Sequence, residues 1–183
     1  GCSTPDSAMD QWMATDFTRE RILNADATTV SVGYYEGGVY NNYWVLIFSY
    51  PENSHTEDYR QEVLNLVNAQ RTKYGLTALE MGDDALTAAA QTRAEEISVV
   101  NSHVRPDGSK CFTVLKDYGV TDTPTGENAA WGSVSPEEVV NAWMNSEGHR
   151  ANILNPEARK MSVGYYYNSN STWGHQWIQI FTK

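Results

Sequence analysis

The chain is poor in basic residues and in cysteine, and it has no long apolar run. Its 183 residues carry 13 Lys and Arg against 23 Asp and Glu, which gives a net charge of −10. No basic stripe is available to neutralise phosphate, so nucleic acid is excluded as a partner and anionic membrane surfaces are disfavoured. No apolar stretch is long enough to span a bilayer, so no membrane span is predicted.

The scarcity of cysteine and the lack of a recognisable secretion signal bear on the location of the protein. The only cysteines, Cys2 and Cys111, provide no disulfide framework. The first residues lack the charged and apolar regions of a secretion signal. The richness in Asn, Ser, Thr, Tyr and Trp is nonetheless typical of an exported bacterial protein, and we expect an extracellular or cell-surface location.

What the chain does contain is an internal repeat, which has to be recognised before any fold is assigned. Aligned without a gap, residues 1–36 are identical to residues 132–167 at 14 of 36 positions. After a two-residue difference in the next turn, Trp44, Ile47 and Phe48 match Trp177, Ile180 and Phe181. Only the second copy is preceded by a long segment, so the first copy represents part of a domain.

The repeat predicts the domain organisation. Residues 1–50 are expected to be the C-terminal part of a degenerate preceding domain, residues 51–58 a linker, and residues 59–183 a complete domain. We expect the chain to derive from a longer exported protein that carries a secretion signal and the rest of the first copy. Because residues 1–50 hold many apolar side chains but no covering helices, they should pack on the complete domain or on a second chain, as a homodimer.

The first half of the complete domain has helical patterns. Apolar residues recur at three- and four-residue spacing from Tyr59 up to a stop at Gly75, and again after a cap at Asp83 or Asp84. Both segments predict amphipathic helices. A short helix is expected at residues 112–118.

The second half combines one helix with two strands. Ser135 opens a capping box with Pro136 at the first helical position, which predicts a helix that ends at Gly148. Residues 161–167 and 176–182 are expected to form a terminal β-hairpin. The predicted fold class is therefore α+β, with helices packed on a small antiparallel sheet.

Four polar residues of this domain could carry chemistry. His103 follows the second helix, and Glu127 stands in a Gly-Glu-Asn segment, expected to be a loop, with no lysine or arginine nearby in the sequence. Ser146 and His149 are three residues apart near the end of one helix, so they should share a face. His55 lies in the linker and is expected to be solvated.

Five ordered motifs identify a family resemblance. They are VNAQR at 67–71 with GL at 75–76, SHVRPDG at 102–108, GEN at 126–128, WMNSEGHRANIL at 143–154 and WIQIF at 177–181. With these motifs the chain resembles bacterial members of the CAP superfamily, which includes cysteine-rich secretory proteins, antigen 5 and pathogenesis-related-1 proteins. The resemblance implies a three-layer α-β-α sandwich with a central cavity lined by two histidines and two acids.

The resemblance also implies a set of cavity residues. His103 matches the first histidine of the family pattern and Glu127 the first acid, whereas Ser146 and Gln176 replace the second acid and the second histidine. His175 is one residue away from that position on a strand, so it should point to the other face, outside the cavity. His149 lies one turn beyond Ser146 and completes the candidate set with His103, Glu127, Ser146 and Gln176.

The first copy acts as an internal control for this set. It has Thr15 in place of Ser146 and Thr18 in place of His149, although the surrounding scaffold is kept. The loss of the imidazole favours a role for His149 beyond packing. Arg150 is kept as Arg19, which indicates a structural role for that arginine.

Several functions fit these residues. A divalent metal, best Zn²⁺, could be held by His103, His149 and Glu127, or the groove could bind a small-molecule, lipid or peptide ligand. A Ser146–His149 or metal-dependent hydrolase acting on peptide or cell-wall material is the alternative enzyme, although a binding protein is favoured over an enzyme. A third alternative is a structural or adhesive surface module whose polar residues only hydrogen-bond loops to one another.

Overall fold

The computed structural model describes residues 1–24, 27–49 and 56–183, which divide into two compact units, Gly1–Ser54 and His55–Lys183. The described part of the linker predicted at 51–58 is its last three residues, which form the start of a helix. The rest of that linker, with His55, lies outside the described residues. None of the described helices is long and apolar enough to cross a bilayer.

The first unit consists of two helices followed by a hairpin. Helix α1 spans Pro5–Met13, α2 Asp16–Ile22, β1 Thr29–Glu36 and β2 Asn42–Ser49. Thr4 caps α1, because its hydroxyl accepts a hydrogen bond from the amide of Ser7 and Pro5 occupies the first helical position. Strands β1 and β2 pair antiparallel and form a two-stranded sheet.

The second unit contains five helices and a four-stranded sheet within the described residues. The helices are α3 (Thr56–Lys73), α4 (Asp84–Val99), α5 (Val114–Asp117, after a 3₁₀ turn at Cys111–Thr113), α6 (Pro136–Asn145) and α7 (Glu147–Ile153). The strands are β3 (Glu80–Met81), β4 (Pro124–Trp131), β5 (Lys160–Asn168) and β6 (Gly174–Thr182). Asp83 caps α4 and Ser135 caps α6, each through a side-chain oxygen that accepts an amide hydrogen bond.

The sheet has the order β3-β5-β6-β4, and helices cover both of its faces. Its one parallel pair is the short contact of β3 with β5, and the other neighbours are antiparallel. One core contains α3, α6 and α7 against the side chains of Trp177 and Phe181, and the other contains α4 and α5 against Ile178 and Ile180. The second unit is therefore the predicted α+β fold with three layers, helices–sheet–helices.

The four elements of the first unit have the same order as the last four elements of the second unit, and the two units share specific contacts. A shift of 131 positions superimposes the bounds of α2 on α7, and Arg19 and Arg150 each donate to a carbonyl six residues earlier. The indole of Trp44 donates to the carbonyl of Cys2 at 2.9 Å, and that of Trp177 donates to the equivalent carbonyl of Ser133 at 2.7 Å. The arginine predicted to be structural therefore makes the same backbone contact in both units.

Two local predictions need correction. The segment around Glu127 is strand β4 instead of a loop, because it pairs along its length with β6, although Pro, Gly and Asn are poor strand formers. The helix that begins at Pro136 ends at Asn145 instead of Gly148. Ser146 has extended backbone dihedrals, and a separate helix, α7, starts immediately after it.

Candidate functional site

A buried carboxylate lies at the centre of the candidate site. Glu127 extends from β4 towards α4, and its side chain is only 2% exposed. Its Oε2 accepts a hydrogen bond from Arg93 Nε at 3.0 Å, and its Oε1 accepts from Arg93 Nη2 at 3.3 Å. A guanidinium on α4 therefore compensates the burial of this negative charge.

Arg93 was missed by the sequence analysis, although a signal for it was present. It lies on the face of α4 that carries Leu86, Ala89, Ala94 and Ile97, at the three- and four-residue spacing of buried positions. A charged residue in such a stripe needs a buried partner of opposite charge, and Glu127 is a carboxylate in a buried strand. The two residues could have been paired on this argument.

The Arg93–Glu127 pair continues into a chain of alternating charges. Arg93 Nη1 donates to Glu96 at 2.6 Å, and Glu96 accepts from Arg105 Nη2 at 2.7 Å. Arg105 Nη1 then donates to Asp117 at 2.7 Å. The network fastens the loop after α4, which carries His103, to α4 and α5.

His103 lies at the exposed end of this network. It is located four residues after the end of α4, its side chain is 54% exposed, and its Nδ1 is 2.8 Å from Glu127 Oε1. Because the carboxylate is held by a guanidinium and acts as the acceptor, Nδ1 donates and Nε2 is left without the proton in the neutral ring. The hydrogen bond to Glu127 raises the pKa of His103 above its ordinary value, against opposing effects of burial and of Arg93.

His149 is located on α7, which packs beside the edge strand β4. The carbonyl of His149 accepts from the side chain of Asn128 at 3.1 Å, and Asn152 donates to the carbonyl of Glu127 at 3.2 Å. Burial, followed by the positive charge of His103, lowers the pKa of His149.

Ser146 has a different position from the one predicted. It lies at the junction of α6 and α7 as the N-cap of α7, so it does not share a helical turn with His149 as part of one continuous helix. Its side chain makes no capping bond, and within the described residues its hydroxyl makes no hydrogen bond with His149. The extended backbone at Ser146 breaks the periodicity on which the prediction relied.

The last strand separates Gln176 from the site. In the sheet register Glu127 pairs with Ile180, whereas Gln176 pairs with Trp131, four residues away and about 13 Å along the strand. The amide of Gln176 lies 2.7 Å from Ser171 Oγ in the adjacent turn. The sheet register therefore does not bring Gln176 next to Glu127.

His175 lies at the same far end of β6, on the other side of the sheet. Its Nδ1 is 2.8 Å from the hydroxyl of Tyr165, and burial lowers its pKa. Its pairing partner in the register is Tyr167. None of these contacts connects it with His103 or Glu127.

Cys111 follows the loop of His103 and is free, as is Cys2. Its amide donates to the carbonyl of His103 at 3.1 Å. Burial, and then the nearby charge of Glu127, raise the pKa of Cys111 to about 11. The thiol is therefore protonated at neutral pH and is a poor nucleophile.

Comparison with known proteins assigns the fold to a family. Residues 64–181 match the family model of CAP, the cysteine-rich secretory protein family. The chain belongs to this family. Over 122 residues the CAP chain is 42% identical to the uncharacterized protein YkwD of Bacillus subtilis, a match that covers 66% of this chain and 47% of that relative's length.

Solved structures show the same fold. A crystal structure of an extracellular protein containing an SCP domain from Bacillus anthracis has a TM-score of 0.64 and 24% identity, over 76% of this chain and 47% of the other. An outer surface protein from Borrelia burgdorferi has a TM-score of 0.62 and 23% identity, over 72% of this chain and 96% of the other. At these identities the likeness concerns the fold alone.

Part of the family signature in this CAP domain is scaffold. A Cβ at Gly126 would lie 2.6 Å from Asn152 Oδ1, so glycine is needed for α7 to approach β4 closely. Asn128 Nδ2 donates to the side chain of Gln179 at 3.0 Å, which links β4 to β6. In the GEN motif, the flanking residues thus position α7 and only Glu127 serves the polar network.

The contacts of Glu127 bear directly on the predicted three-ligand metal site. Both oxygens of Glu127 already accept hydrogen bonds from Arg93, and one of them also contacts His103. Across the part of the chain that the structure describes, no three His, Cys, Asp or Glu side chains form a group that could hold a metal ion. Glu127 therefore fits the role of a partner that orients His103, the histidine that it contacts.

Proposed function

We propose that this CAP domain is an extracellular binding module in which His103 and His149 bind a divalent transition metal, best Zn²⁺. Glu127 acts here as the partner that orients His103, instead of as a ligand. Solvent, or an anionic group of a small-molecule, lipid or peptide ligand, would complete the coordination of the ion. The extracellular location is supported by the solved relatives that are described as extracellular or outer-surface proteins.

The observation that carries the proposal is the 2.8 Å contact of His103 Nδ1 with Glu127. Histidines that bind metals usually donate their other ring nitrogen to a carboxylate, which fixes the tautomer and makes the ligating nitrogen more basic. Here the ring is half-exposed, so Nε2 can meet an ion from solvent.

The charge of the network supports a cation at the same place. Three carboxylates (Glu96, Asp117 and Glu127) face two guanidinium groups (Arg93 and Arg105), so one negative charge is left when His103 is neutral. The raised pKa of His103 also means that its surroundings favour a positive charge on this ring. A metal ion bound at Nε2 would supply that charge in place of the proton.

A Zn²⁺ titration by calorimetry tests the proposal, with His103→Ala and His149→Ala as site variants and His175→Ala as the matched control. We expect both site variants to weaken binding by about tenfold or more, as removal of a ligand or its orienting partner does, and the control to bind as the unaltered protein does. Affinity should fall as pH drops through the histidine range, because protons compete for both rings. Equal affinity of His103→Ala and the unaltered protein would refute the proposal.

The hydrolase alternative lacks a comparable observation. A serine nucleophile needs a base within hydrogen-bonding reach, and Ser146 makes no such contact with His149 among the described residues. The pKa of Cys111, which burial raises to about 11, makes this thiol a poor nucleophile at neutral pH. The adhesive-module alternative differs from the proposal in the titration, since it predicts no histidine-dependent metal binding.

A further inference from the structure

One face of the β1–β2 hairpin exposes apolar side chains that are buried at the equivalent places of the second unit. Val45 and Ile47 are 52% and 64% exposed, whereas their equivalents Ile178 and Ile180 are completely buried. The hairpins match in sequence and strand bounds, so the difference comes from what covers them. In the second unit the covering element is α4.

Helix α4 approaches the sheet unusually closely at one glycine. A Cβ at Gly164 of β5 would lie 2.0 Å from the backbone oxygen of Ala90, so only glycine permits this contact. The helix offers small side chains to the sheet, because Ala89, Ala90 and Ala94 are completely buried against it. Glycine on the strand and alanine on the helix together create the close packing.

The first unit keeps this glycine without the helix. Gly33 is the equivalent of Gly164, yet a Cβ built at Gly33 would meet nothing closer than the Val45 Cβ, at 3.9 Å. Glycine in the interior of a strand is destabilising, and one common reason for it is the close approach of another backbone. No close approach occurs at Gly33 among the described residues, so this face retains a helix-binding shape without a helix.

The first unit also lacks, within the described residues, an equivalent of strand β4, and Trp12 is the residue that would contact it. In the second unit the indole of Trp143 donates to the carbonyl of Ala129 on β4 at 3.3 Å. Trp12 is the equivalent indole, and among the described residues no strand of the first sheet corresponds to β4. Strand β2 likewise has β1 as its one neighbour within the described residues, whereas β6 lies between β5 and β4.

We infer that the β1–β2 hairpin and Trp12 form a docking surface for a polypeptide that folds as residues 56–131 of this chain do. Its alanine-faced helix would lie across Gly33, Val45 and Ile47, and its strand would add to the edge of β2 and accept the Trp12 hydrogen bond. This type of strand addition supplies backbone hydrogen bonds to an open sheet edge. A second copy of the chain cannot supply the helix, because the alanines of its α4 are already buried in its own fold.

The experiment supplies the helix by fusion. A second copy of residues 83–100 is joined to the N-terminus of the full chain through a flexible Gly/Ser linker, which gives a high effective concentration. Amide hydrogen exchange in β1 and β2 is then compared with that of the unfused chain. We expect the fused helix to slow exchange of these amides by about tenfold or more, as packing against a sheet face would.

Two variants make the result specific. In the fusion, Gly33→Val should abolish the protection, since its side chain would occupy the place of the helix backbone, whereas valine suits an exposed strand and leaves the hairpin folded. Replacing Ala90 of the added helix with Leu should have the same effect. The inference is overturned if the fused helix gives no protection, or if the protection survives Gly33→Val. Protection in the unfused chain that increases with protein concentration would also overturn it, because a second copy would then be the occupant.

Discussion

Replacing Arg93 with Met should cost the second unit much of its stability. Arg93 is fully buried and makes four hydrogen bonds: two to Glu127, one to Glu96 and one to the carbonyl of Ser102. Methionine fills a similar volume, so the main loss is electrostatic. Glu96 keeps Arg105 as a partner. Among the described residues that contact Glu127, the one that can still carry a positive charge is then His103.

The magnitude follows from the burial of Glu127. Breaking a buried ion pair by removing one partner typically costs about 3–5 kcal/mol, because an uncompensated charge remains in the core. The cost should depend on pH, since a protonated His103 compensates Glu127 and a neutral one does not. The raised pKa of His103 means that this compensation is present at acidic pH and is lost as pH rises through that pKa. The loss of stability should therefore be larger at about pH 8.5 than at about pH 5.5, on either side of the histidine range.

Urea unfolding at these two pH values measures the effect. Lys183→Met is the matched control, because it removes a cation from an exposed pair with Glu157, and exposed ion pairs contribute little to stability. Adding Glu127→Gln to Arg93→Met should recover part of the stability, since the buried charge is then gone. A loss below about 1 kcal/mol, or one that is the same at both pH values, would refute the assignment of Arg93 and Glu127 as a buried pair coupled to His103.

Two other predictions test the neighbourhood of the site. Gly126→Ala should destabilise the protein by about 1–3 kcal/mol, because its Cβ would overlap Asn152, whereas Gly148→Ala, with open space around it, should stabilise α7 by about 0.5 kcal/mol. Similar thermal unfolding shifts for both glycines would contradict this. Glu127→Gln should lower the pKa of His103, because the hydrogen bond to the carboxylate is the largest cause of its elevation. An unchanged histidine titration by NMR would show that the 2.8 Å contact does not persist in solution.

The fold was predictable wherever periodicity or capping chemistry was local. The helix after Asp83, the helix start at Ser135 and the terminal hairpin all appear in the structure. Strand β4 was missed because it has a glycine and an asparagine at its centre, and because its stability comes from pairing with β6, about fifty residues later. Such non-local pairing cannot be seen in a window of neighbouring residues.

The site was predictable only in part for a related reason. Family motifs identified His103 and Glu127, and the structure joins them through one hydrogen bond. The motifs do not include Arg93. This residue matters for metal binding because it donates hydrogen bonds to both carboxylate oxygens of Glu127. Gln176 was placed by its distance from Gln179 in the sequence, yet the antiparallel register moves it to the far end of the sheet. Motif spacing thus identifies candidate residues, but it does not reveal which hydrogen bonds their side-chain atoms already accept.

The sequence identities between residues 1–36 and 132–167 are accompanied by contacts that the two units have in common. The first unit keeps the Arg19 contact with a carbonyl and the packing of Tyr34 on Trp44, whose centroids are 4.4 Å apart, close to the 4.5 Å of Tyr165 and Trp177. These contacts lie entirely within the two helices and the hairpin of each unit. Where the second unit has Ser146 and His149, the first has threonines that hydrogen-bond to each other. Closing a junction between two helices therefore needs no imidazole.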